Sequence, residues 1–250
     1  MTARRLGERA IADGLVVAAV AGWWLLSLRL PDFLMPSPWQ VARTLADLFL
    51  TPSLLADTAA SAARVVAAVA LATLLGGALA VVPYRWPVAD TIVRGRITPF
   101  LNSFPSVGWA ILAMTWFGTT DAAVIFVEVA ILTPFCLINV LEGLNELDRE
   151  LIEMGWSFTH HGGRNFVKLV VPMLLPYVMS AIRIAYGVGW KIALVAELFG
   201  VSSGLGYLML KAEIVSDAAT VYATCFAIVV LFLAGEKLVL DPLSRLVAYK

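Results

Sequence analysis

The chain has 250 residues, of which 60% are hydrophobic and only 14% charged, where an ordinary soluble domain carries about a quarter. Lysine plus arginine equals aspartate plus glutamate at 18 each, so there is no basic excess to draw nucleic acid. The charge that remains is absent from long windows, which excludes an ordinary globular core and points to helices that cross a bilayer.

In chain order, Arg4, Arg5 and Arg9 precede an apolar run from Gly14 to Leu28, an arrangement shared with secretory leaders. The run ends in Arg29-Leu30-Pro31-Asp32 with no small-residue cleavage site, so it reads as a retained first span over about 11–30. Pro31, Pro36 and Pro38 separate it from residues 39–49, where Val41, Leu45, Leu48 and Phe49 recur at helical spacing. The spacing predicts an amphipathic helix lying on the outer leaflet. Lipid forces every backbone group to pair within its own helix, so each crossing needs about 20 apolar residues. Five further windows meet that length: 65–84, 97–120, 122–141 (broken only by Glu128), 172–198 and 218–240. Residues 202–217, with Gly204-Leu205-Gly206-Tyr207-Leu208, are too short to cross and read as a partly buried outer helix. Cys136 and Cys225 fall in apolar windows, in no metal-ligand or disulfide spacing, and read as packing residues. The expectation is one all-α membrane domain over residues 1–250, with about six spans and no internal repeat.

Orientation follows from the basic residues. With the N-terminus inside, Arg4, Arg5, Arg9, Arg85, Arg94, Arg96, Arg149, Arg164, Lys168, Lys237, Arg245 and Lys250 fall on the cytoplasmic side, and Arg29, Arg43 and Lys211 on the other. Both termini and the segment 144–171 are then expected in the cytoplasm. That segment is long and polar for a connection between spans. Leu147, Leu151, Met154 and Phe158 form one apolar stripe, which predicts an amphipathic helix. Gly162-Gly163 marks its break, and a second short helix over 164–171 leads into Pro172. Such a helix pair either covers the inner mouth of its own protein or docks on another subunit.

Ionisable groups inside a membrane are costly and point to function. Arg183 is expected to reach a polar cavity or a partner. Glu128 and Lys191 lie at a similar depth, roughly 9 Å below the outer boundary at about 1.5 Å per residue. They are expected to pair, either lining the translocation path or bracing it. Glu197 is six residues from Lys191, about 120° away on the helical wheel, so those two do not pair within the helix. Pro99 and Pro105 disturb the third span, where Asn102, Ser103 and Ser106 supply polar groups. This stretch either lines the pore or is a kinked packing helix.

The loop resembles the EAA loop of permease subunits of ATP-binding-cassette (ABC) importers. That pattern is Glu-Ala-Ala, three residues, Gly, nine residues, Ile, any residue, Leu-Pro. Glu153, Met154 and Gly155 take the first three positions, Thr159 the Gly, Leu169 the Ile, and Val171-Pro172 the last two. Thr159 departs from the pattern, which shifts the expected bend toward Gly162-Gly163. Leu34-Met35-Pro36-Ser37-Pro38, Phe104-Pro105, Ala196-Glu197 and Gly204-Leu205-Gly206-Tyr207 are similar to segments of the nitrate/sulfonate/taurine branch.

The resemblance implies a MetI-like type I importer core in a bacterial inner membrane. It also implies that Glu150, Leu151, Glu153, Met154, Gly155, Phe158, Thr159, Gly162 and Pro172 belong to a loop coupled to a separate ATPase. Two ATPase subunits, a second copy of the permease and an outer substrate-binding protein, periplasmic or lipid-anchored, are the expected partners. ATP and Mg²⁺ would sit on the ATPase, with no cofactor or metal on this chain; the sequence has no Gly-Lys dipeptide and hence no phosphate-cradling loop. His160 and His161 read as a metal site lacking further ligands, a pH sensor, or polar residues at a helix end beside the ATPase. The expected cargo is a small anion of the nitrate, sulfonate or taurine kind, or a vitamin precursor. A translocation path is expected to use Asn102, Ser103, Ser106, Glu128, Arg183, Lys191 and Glu197. The competing functions are a secondary transporter with Glu128 as a proton or sodium site, disfavoured by the missing inverted repeat, and a structural anchor, disfavoured by the intramembrane charges.

Overall fold

Long apolar windows give long helices, and the computed structural model contains no strand among the residues it describes, 2–158 and 161–248. The side chains of residues 2–10, 12, 149, 156, 158, 247 and 248 lie outside that description. In chain order the helices are α1 (Thr2–Ser27), α2 (Pro38–Leu50), α3 (Pro52–Arg85), α4 (Pro87–Ser103), α5 (Ser106–Phe117), α6 (Asp121–Asn145), α7 (Arg149–Phe158), α8 (Gly162–Gly200), α9 (Leu205–Ile214) and α10 (Ala218–Leu246).

Four of these, α3, α6, α8 and α10, are long and apolar enough to cross a membrane singly. The expected third crossing over 97–120 is not one rod: α4 and α5 are bent by 86° at Phe104-Pro105. A residue before proline is pushed out of the helical region, and Phe104 has ψ 127°. The expected first span lies in α1, whose helix ends at Ser27 and not at residue 30. The second is longer. α3 starts at Pro52, where a proline loses nothing because a first-turn N–H has no helical partner. Its 34 residues run to about 50 Å, past a hydrocarbon core of about 30 Å.

The centre is formed by α3, α6 and α8. Val65, Val69, Ala72, Leu132, Cys136, Ala181, Ala185 and Trp190 make one buried cluster across them. A Cβ added at Gly76 would stand 2.7 Å from the Leu137 backbone nitrogen, so the α3–α6 crossing is set by a residue without a side chain. The Leu34–Pro38 segment has a local reason: Ser37 accepts the Gln40 N–H (3.3 Å), Gln40 accepts the Ser37 N–H (2.8 Å), and Pro38 opens the helix. The apolar face of α2 does not lie free on a leaflet. Val41 and Leu48 are buried against Leu205, Ala223 and Ala227, because α9 and α10 offer small and apolar surface there.

Three wide turns with i→i+5 hydrogen bonds, Val93–Ile97, Phe166–Val170 and Glu236–Leu240, each end two residues before a proline: Pro99, Pro172 and Pro242. Proline brings no N–H and its ring crowds the carbonyl four residues back; a locally widened helix relieves both. This is how α8 passes through Pro172 unbroken. Gly162-Gly163, expected as the break after α7, instead forms the first turn of α8. Thr159 and His160, just ahead of it, lie outside the described residues.

Candidate functional site

Two ends of the bundle carry polar structure. At one end Arg64, 5% exposed, reaches out of α3. Its guanidinium donates to Glu197 at 2.6 Å, to Asp121 at 2.9 Å, and to the Ser203 carbonyl and hydroxyl at 3.0 and 2.6 Å. Glu197, 1% exposed, also accepts from the Ser61 hydroxyl at 2.8 Å and the Gly206 N–H at 2.9 Å. Ser61 in turn accepts the Leu205 N–H, and Asp57 the Gly204 N–H. A buried ion pair offsets its desolvation only when its remaining donors and acceptors are satisfied, and these are. Gly204 has φ +106°, and a Cβ there would stand 2.6 Å from both Arg64 Nη1 and the Glu197 carboxyl. The Gly204-Leu205-Gly206 segment is therefore explained by backbone packed directly on a salt bridge. The network joins α3, α6, α8 and α9.

Glu128 stands inside this end, wholly buried, with neither carboxyl oxygen hydrogen-bonded. The charged groups whose fields reach it are Glu197 and Arg64. The expected Glu128–Lys191 pair does not form: Lys191 is exposed on the opposite face of α8 and makes no ion pair among the described residues. Lys191 and Glu197 do face apart, as the wheel angle requires. Arg183 pairs with Asp241 at 2.6 Å, with Glu236 at 3.9 Å, and so fastens α8 to the end of α10. Glu128 and Glu197 are enclosed by the protomer, whereas Asn102, Ser103 and Ser106 are exposed at the α4–α5 elbow. Arg64 carries the network, yet it stands just before the span expected over 65–84. The available signal was Thr51-Pro52, which starts α3 upstream and leaves Arg64 as a charge within the helix.

At the other end, α7 stands between α6 and α8. Asp148 Oδ1 accepts the N–H groups of Glu150 and Leu151, at 2.9 and 3.4 Å, and so opens α7. Leu147 is buried against Val140, Leu144, Val170 and Leu174, with Ile152 packed alongside. A Cβ on Gly155 would collide with the Leu169 side chain. The expected stripe is thereby divided: Leu147 faces inward, while Leu151 and Met154 are 42% and 51% exposed beside exposed Glu150 and Glu153. The Phe158 side chain lies outside the described residues. Pro172 is exposed. Arg94 donates to Asn145 at 3.0 Å and Tyr177 to Glu146 at 2.6 Å, which fix the end of α6 beside the hairpin.

A bundle of helices long and apolar enough to cross a bilayer, with a broken span, a buried ionic clasp at one end and an amphipathic hairpin at the other, fits a multi-pass membrane protein. The chain belongs to the family described as binding-protein-dependent transport system inner membrane component, which matches residues 72–241. It is 26% identical over 214 residues to the taurine transport system permease protein TauC of Escherichia coli, covering 81% of this chain and 76% of that one. It is 34% identical over 132 residues to the putative aliphatic sulfonates transport permease protein SsuC of Escherichia coli, 52% of this chain and 48% of the relative. The formylaminopyrimidine transport permease protein ThiX of Halalkalibacterium halodurans is 28% identical over 222 residues, 85% of each chain. The chain is thus a multi-pass inner-membrane permease of the ABC importer class, in the branch that holds the sulfonate and taurine permeases. It is a transport subunit.

Proposed function

We propose that this permease carries a small organic anion of the sulfonate type, and that α7 with the start of α8 transmits the movement of a separate ATPase to the spans. The observation that supports coupling most is the split face of α7. Leu147, Ile152 and Gly155 hold it to the bundle, while Glu150, Leu151, Glu153 and Met154 are presented outward. A helix locked to its spans on one side and offering a mixed acidic and apolar surface on the other can pass on a rigid displacement. The contact between Gly155 and Leu169, two positions matched to the EAA pattern, makes hairpin and span one body.

ATP and Mg²⁺ belong to that ATPase in this reading. A second copy of the permease completes the path, with the exposed elbow at Asn102, Ser103 and Ser106 facing it, and a substrate-binding protein delivers cargo on the side of the Arg64 clasp. The α7 end, where Arg85, Arg94, Arg96, Arg164 and Lys168 gather, is the cytoplasmic one. The anion reading is supported by the TauC and SsuC likeness; the ThiX likeness supports a vitamin precursor as the second choice.

The test of coupling is copurification of the ATPase and transport in the Glu153→Arg, Met154→Asp double variant. The expected result is a folded permease that no longer retains the ATPase and no longer transports. An intact complex with normal transport overturns the coupling role. Affinity of the cognate binding protein for taurine, an alkanesulfonate and a pyrimidine vitamin precursor decides the cargo.

A further inference from the structure

At the α7 end a cavity of 480 Å³ opens between α3 and the first turns of α8. Val81, Phe166, Leu169 and Val170 give it apolar walls, and Tyr84 and Arg85 stand at its α3 side. The Tyr84 ring lies against Phe166, with centroids 6.4 Å apart. Arg85 is exposed and makes no hydrogen bond or ion pair among the described residues. On the α8 side Arg164 and Lys168 are exposed as well. Trp86 and Val167, next in sequence to lining residues, and nearby Val88 are 64%, 63% and 89% exposed, so apolar surface runs on outside the cavity. A tryptophan and an arginine at the end of an apolar span mark headgroup depth.

We propose that this cavity is a phospholipid site that takes one acyl chain of an anionic lipid, with the headgroup phosphate on Arg85. Val81, Ile152, Phe166, Leu169 and Val170 match a hydrocarbon chain, while Asn165 and the Gly162-Gly163 turn give the wall a polar edge. The mouth has an uncompensated cation, and cationic neighbours on the facing helix add to the attraction for negative headgroups. A chain seated there wedges between α3 and the base of the hairpin, where Leu169 also meets Gly155. The lipid thereby becomes part of the support of α7. A soluble protein segment is the poorer match, because the surface on either side of the mouth is itself apolar and at headgroup depth.

Native mass spectrometry of the full-length protein tests the site, after purification in mild detergent with equal phosphatidylglycerol and phosphatidylcholine. The wild type is expected to retain phosphatidylglycerol over phosphatidylcholine by about fivefold, the preference one basic residue gives at an anionic headgroup. Arg85→Gln lowers that ratio, leaving only the weaker pull of Arg164 and Lys168, and Val81→Trp, which fills the cavity, removes the retained lipid of both kinds. Arg85 is exposed, so its variant carries the test if Val81→Trp does not fold. Excess inorganic phosphate leaves retention unchanged. Equal preference in wild type and Arg85→Gln overturns the proposal. Displacement of the lipid by phosphate assigns the site to a free anion, and its loss when the ATPase is bound assigns it to a protein partner; either result also overturns it.

Discussion

Arg64 has two carboxylate partners with very different settings. Glu197 is 1% exposed and Asp121 71% exposed. The exposed pair is screened by solvent and contributes at most about 1 kcal/mol, so Asp121→Asn is expected to leave thermal stability nearly unchanged. Arg64→Met is different, because it leaves Glu197 buried without a counter-charge, at a cost of about 3–5 kcal/mol. Replacing both members is milder than replacing one. The expected order of thermal midpoints is wild type, then the Arg64→Met, Glu197→Gln double variant, then Arg64→Met alone. A double variant no better than the single one would show that the pair does not act as a unit. Glu128 is the converse case, a buried carboxyl with no donor. Exchanging such a group for an apolar one of similar size removes a penalty of about 1–3 kcal/mol, so Glu128→Met is expected to raise the thermal midpoint with transport retained. A fall in midpoint, or lost transport in a folded variant, would give Glu128 a role beyond filling space. None of this residue detail was legible in the sequence beyond the presence of charges in spans. Depth along a helix was readable from spacing, but the rotation of each helix about its axis is set by packing. Glu128 and Lys191 therefore share a depth and yet face different surroundings.

At the scale of elements, sequence reading succeeded where a local rule decides. The helix after Ser37 is fixed by its own cap and proline, and the stripe of residues 147–158 announced α7. It failed where neighbours decide. The face of α2 is expected on the outer leaflet, although α9 and α10 cover it, and the wide turn before Pro172 makes one helix of the short helix 164–171 and the span after it. The same neighbour dependence makes Gly155 informative. Its close approach to Leu169 locks the hairpin to α8, so Gly155→Val is expected to loosen that contact and reduce transport several-fold, with ATPase copurification reduced alongside. Shortening the facing side chain should restore both, because space and not chemistry is what is lost. A Gly155→Val, Leu169→Ala variant as impaired as Gly155→Val alone would place the importance of Gly155 elsewhere than in this packing.

For the whole molecule, the two polar ends do different work, and the direction of transport depends on which end faces which side. The clasp end gathers Arg64, Glu197, Asp121 and the Gly204 turn into a rigid assembly joining α3, α6, α8 and α9. The hairpin end is held through Leu147 and Gly155 and offers Glu150, Leu151, Glu153 and Met154 outward. That asymmetry suits a protein whose movements start at the hairpin and open or close the path at the clasp. Basic residues gather at the hairpin end, which supports the proposal that it faces the cytoplasm. Single cysteines in a background lacking Cys136 and Cys225 check the placement. Ser202 and Ser157 are both exposed and sit at opposite ends of the bundle. In intact cells a membrane-impermeant maleimide is expected to label the Ser202→Cys variant and to spare the Ser157→Cys variant, which reacts only after the membrane is permeabilised. The reverse pattern would put the hairpin outside, beyond the reach of any cytoplasmic ATPase, and would remove the basis for coupling through α7.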